Sequence, residues 1–75
     1  MILVYSACYY VPEEQKFVSE NFATKSKASN LARKMSKLSD KSAYVYKRNG
    51  EYINGIFHEY EATTATIFRN GKKYW

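Results

Sequence analysis

The sequence predicts an α+β domain: a single helix packed on a small antiparallel sheet, with elements in the order β-β-α-β-β-β. Three observations point there. Ala28, Leu31, Ala32, Met35 and Leu38 recur at the three- and four-residue spacing of one helical stripe. Runs rich in β-branched and aromatic residues flank that stripe on both sides, and such side chains suit a pleated surface. Each of the three glycines follows an asparagine, and Asn-Gly fits the left-handed dihedrals of a type I′ hairpin turn. Seventy-five residues make one domain, 1–75. A chain this short buries only about 60% of its unfolded surface. One cysteine forms no internal disulfide and no Cys/His cluster offers structural zinc, so self-association through an open sheet edge is the expected source of extra stability.

The first element is a strand from Ile2 to Val11. It is apolar on both faces, with Ile2, Val4 and Cys8 on one and Leu3, Tyr5, Ala7 and Tyr9 on the other, as in a central strand. Pro12-Glu13-Glu14-Gln15 is a polar break containing the only proline, and it reads as a turn. Lys16 to Phe22 returns as a short strand. Thr24 or Ser26 caps the helix, because a side-chain oxygen accepts from the free amides of the first turn. Ser39-Asp40-Lys41-Ser42 ends it. Ala43 to Arg48 follows as a strand, and a turn at Asn49-Gly50 would set Arg48 opposite Glu51 and Tyr46 opposite Ile53. Asn54-Gly55 then falls too close for a second hairpin turn and reads as a bulge or bend. Ile56 to Tyr60 and Thr63 to Arg69 are two further strands, and Asn70-Gly71 folds Lys72 to Trp75 back.

Charge is the strongest functional signal. Between Lys25 and Lys41 stand Lys25, Lys27, Arg33, Lys34, Lys37 and Lys41 against the single acid Asp40, which equals the net +5 of the whole chain. On a helical projection Lys27, Arg33, Lys34, Lys37 and Lys41 lie opposite the apolar stripe. A one-sided basic face is the footprint of an anionic partner: nucleic acid, or an acidic protein surface. The plainer alternative is a solvated face that keeps a small domain in solution. With one Arg among the five, attraction is diffuse rather than bidentate. Tyr44 and Tyr46 share one side of their strand, with Tyr52 expected on the neighbouring strand and the other face. They either stack on unpaired bases or pack the sheet. The tail, with Arg69, Lys72, Lys73, Tyr74 and Trp75, mixes cations and aromatics as interaction hot spots do; otherwise it is a last hairpin whose Ile67 and Tyr74 complete the core.

Catalysis is not expected. The sequence has no glycine-rich phosphate loop, no nucleophile elbow and no zinc-protease helix motif. His58 stands alone and Cys8 lies in an apolar run with no partner to activate it. No cofactor, metal or small-molecule substrate is implied. No run approaches the roughly 20 apolar residues that span a bilayer, and Met1-Ile2-Leu3-Val4 is too short for the apolar region of a signal peptide. The expected location is the cytoplasm. The hairpin, Phe22-Ala23-Thr24-Lys25 leading into a helix, and Tyr44-Val45-Tyr46-Lys47 behind it resemble the small accessory proteins of phages and mobile elements. That resemblance implies a binding function in a host cytoplasm, on a nucleoprotein or as a modulator of a host enzyme or defence system. The expected function is thus a non-enzymatic binding module for nucleic acid or nucleoprotein; the alternative is a protein-binding inhibitor.

Overall fold

A computed structural model describes residues 2–75. The strands are β1 (Ile2–Val11), β2 (Lys16–Phe22), β3 (Ala43–Ile53), β4 (Ile56–Arg69) and β5 (Lys72–Lys73), and the helix α1 (Lys25–Ser39) stands between β2 and β3. All neighbours are antiparallel, in the order β2-β1-β3-β4-β5. The expected α+β architecture is therefore the observed one, with β1 inside the sheet as its two apolar faces require.

The first hairpin turns at Pro12–Gln15, where Glu14 N–H donates to the Val11 carbonyl at 3.1 Å. Thr24 caps the helix: its backbone is extended and its hydroxyl accepts from Lys27 N–H at 3.4 Å. Asp40 stops the helix in the left-handed region, at φ 58°, a conformation Asp tolerates better than most residues.

The helix meets the sheet through small residues. Ala28, Ala32 and Ser36 are fully buried, with Leu31 and Met35 half-buried beside them. Leu38, expected in the stripe, is 65% exposed. Its place against the sheet goes to Ser36, whose hydroxyl is satisfied twice: it donates to the Arg33 carbonyl and accepts from Gly71 N–H, both at 2.9 Å. Beneath the helix, Ala7, Tyr9, Ala43, Val45 and Phe68 complete the core.

The second half departs from the expected register. Asn54-Gly55, with φ of 53° and 81°, is the hairpin turn between β3 and β4, closed by the pair Ile53 and Ile56. Asn49-Gly50 lies inside β3 instead. Its glycine answers a close approach: a Cβ there would stand 2.1 Å from the His58 carbonyl oxygen and 2.8 Å from the Phe57 ring. Arg48 accordingly pairs with Val4 and Ala62 rather than Glu51, and Tyr46 with Ser6 and Thr64 rather than Ile53. The two expected strands after residue 56 are one strand of 14 residues. Two register shifts leave Tyr60 and Ala65 unpaired as bulges, which is how so long a strand follows the twist. Tyr52 sits on the same strand as Tyr44 and Tyr46 and, by alternation, on the same face.

Candidate nucleic-acid interface

The helix points its cations away from the sheet. Lys27, Arg33, Lys34 and Lys37 are all exposed, and none has an acidic partner among the described residues. The ion pairs among the described residues are Lys16 with Glu14, at 3.4 Å, and Arg48 with Glu59, at 2.6 Å; both lie off the helix. Arg33 lays its guanidinium over the Phe68 ring, 5.0 Å from the centroid, which fixes it at the border between helix and sheet. Lys41 leaves the helical row. It follows the left-handed Asp40, and its ammonium stands 5.3 Å over the Tyr10 ring.

The fold joins two stretches that the sequence keeps separate. The bond from Gly71 to Ser36 presses the last turn against the helix, and a Cβ at Gly71 would meet the Lys37 Cβ at 3.3 Å. Lys72 and Lys73 follow at once and are exposed. Their register divides them: Lys73 pairs with Phe68, which faces the helix, and Lys72 with Arg69 on the opposite face. Arg69 donates to the Ser42 hydroxyl at 3.3 Å and covers the Tyr74 ring at 4.3 Å. Tyr74 and Trp75 are 62% and 61% exposed, so they do not complete the core; Phe68, 2% exposed, does.

The sheet face away from the helix is open. Tyr44 and Tyr46 stack on it, with ring centroids 6.1 Å apart and planes inclined by 16°. Next to them is a polar network that no local sequence pattern announces, because Ser6, Asn21, Arg48 and Glu59 come from four different strands. Arg48 Nη1 donates to Ser6 Oγ at 2.9 Å and to Asn21 Oδ1 at 3.2 Å, Nε is held by Glu59, and the guanidinium lies 5.0 Å over Phe57. Burial raises the Tyr46 hydroxyl above its ordinary pKa, with smaller contributions from Cys8 and Tyr44. Burial also raises the Cys8 thiol, which stays protonated and unreactive at neutral pH. No three His, Cys, Asp or Glu side chains among the described residues form a metal-binding group. No described helix is long and apolar enough to cross a membrane.

Comparison with known proteins adds no relative: no family model matches the chain, nor does any curated protein or solved structure.

Proposed function

We propose that this chain is a small non-enzymatic binding module for nucleic acid or nucleoprotein, acting in the cytoplasm through Lys27, Arg33, Lys34 and Lys37. The observation that supports it most directly is that every one of these cations is exposed and without an acid among the described residues. Unneutralised ammonium and guanidinium groups in a row gain most from displacing the counterions of a phosphate backbone. Lys73, brought to the helix side of the sheet next to Lys37 by the turn that the Gly71–Ser36 bond holds, lengthens that row. The test is the binding of labelled oligonucleotides at low salt by the wild type and by a variant combining Arg33→Glu, Lys34→Glu and Lys37→Glu, with circular dichroism checking the fold. Loss of binding in the variant supports the reading, and wild type that binds no oligonucleotide at low salt refutes it.

One observation favours a second reading. Tyr74 and Trp75 are exposed at one sheet edge beside the unpaired outer side of β4, a surface suited to a protein partner or a second copy of the chain. A protein retained stoichiometrically from nuclease-treated lysate, and lost on Trp75→Ala, is the result that reading expects.

A further inference from the structure

At the middle of the open sheet face is a shallow depression of about 330 Å³, lined by Ser6, Ser19, Tyr46, Arg48, Glu59 and Ala62. We infer that it seats one unpaired nucleobase, stacked on Tyr46 and hydrogen-bonded at its edge by Arg48 and Ser19, so that the nucleic acid this chain takes is single-stranded. The inference rests on the nucleic-acid reading above and names the ligand class.

Three features carry it. The depression has a flat aromatic wall, because Tyr46 is braced by its near-parallel stack with Tyr44. Bases stack on such a ring whatever their identity, since each has a π-face. The other lining residues offer fixed donors and an acceptor. Arg48 spends Nε and Nη1 on Glu59, Ser6 and Asn21, which hold the guanidinium still, and Nη2 has no partner among the described residues. The Ser19 hydroxyl is likewise without one, and Glu59 engages Arg48 through Oε1, leaving Oε2 to accept. A base edge needs such a mixture of donors and acceptors, held in place before it arrives. The charge is also suitable. Glu59 is the one acid at the depression and is paired, while Arg69 and Lys72 stand on the same face beyond Tyr44 to meet phosphates. A duplex hides the faces of its bases in the stack and cannot enter.

The experiment compares a labelled single strand of mixed sequence, an abasic strand of equal length and the corresponding duplex, by fluorescence anisotropy at low salt. Wild type is expected to bind the base-bearing strand at least about fivefold more tightly than the other two. Tyr46→Ala is expected to lose roughly 5- to 100-fold in affinity for that strand, and Tyr46→Phe to keep it. The abasic arm needs no variant, so it stands even where Tyr46→Ala disturbs the fold. Equal binding of the abasic strand overturns the assignment and leaves the helix-face reading in place. If Tyr46→Ala abolishes binding but the triple Glu variant does not, the depression stands and the helix face falls. No binding of any strand overturns both.

Discussion

Neutralising three helix cations at once gives the sharpest quantitative test of the charge argument. The variant combines Arg33→Gln, Lys34→Gln and Lys37→Gln, since Gln is nearly as good a helix former as Lys or Arg. The three side chains are exposed and unpaired, so the fold loses little beyond the Arg33 contact with Phe68. Suppose Lys27, Arg33, Lys34, Lys37 and Lys73 each neutralise one phosphate of a single strand. The logarithm of affinity then falls with the logarithm of salt at a slope of about −3.5. Raising salt from about 50 to about 200 mM weakens binding roughly 130-fold. With three contacts removed, the slope becomes about −1.4 and the same step costs only about sevenfold. Anisotropy titrations at four or more salt concentrations read both slopes directly. Equal slopes in variant and wild type, with a cooperative thermal transition retained in both, would refute the claim that these side chains meet phosphates.

Other expectations follow from the packing. Gly50→Ala forces a Cβ against the His58 carbonyl and should cost about 3 kcal/mol or more, whereas Gly55→Ala, left-handed but in open space, should cost about 1–2 kcal/mol. Urea midpoints of the two variants rank them, and the reverse order contradicts the observed register. Ser36→Ala leaves the Gly71 amide without its acceptor, at about 1–3 kcal/mol. Hydrogen exchange at Gly71 should quicken about tenfold or more; unchanged exchange means the last turn is not held by Ser36. Tyr9 and Tyr46 both titrate above their ordinary value, chiefly through burial. Their neutral forms therefore stabilise the fold fully below about pH 10, and that contribution is lost as pH rises through the raised values. Denaturant midpoints that hold constant well above pH 10 would contradict the burial of these two hydroxyls.

The sequence made the local elements legible because each is specified by short-range chemistry. The Ala28–Met35 spacing, the Thr24 cap and the Pro12–Gln15 turn need no knowledge of the rest of the fold. The basic face was readable for the same reason, since one helix carries it. The choice between Asn49-Gly50 and Asn54-Gly55 was not readable. Both suit a type I′ turn, and what decides is non-local: Gly50 sits where His58 and Phe57 crowd the backbone, and the longer hairpin lets β4 run on to Phe68 in the core. Ser36 escaped notice because a serine in a helix reads as polar surface, until Gly71 arrives from 35 residues away to occupy it. The Arg48 network escaped for a similar reason, with partners 11, 27 and 42 residues distant.

The uncovered face raises the question of why a domain with so small a core leaves aromatics in the open. Small side chains, Ala7, Ala28, Ala32 and Ala43, make up much of the buried core around Phe68 and Tyr9, while Ile2 and Tyr52 on the open face, and Leu3, Ile53 and Ile56 on the other, are substantially exposed. Exposed apolar side chains invite association where they adjoin. Two devices counter it. The Arg48 network sets a charged and hydrogen-bonded island among Tyr46, Phe57 and Val4, and the Arg stem itself covers apolar surface. The long free edge of β4 is interrupted by bulges at Tyr60 and Ala65 and shielded at one end by β5, which weakens it as a template for another strand. Strand addition along the middle of β4 is therefore disfavoured, and the exposed Tyr74-Trp75 end is what remains of this edge as a docking surface. The open face, polar at its centre and aromatic around it, is the better one. On the reading proposed above, that is where a ligand flat, polar at its edges and joined to phosphate would dock.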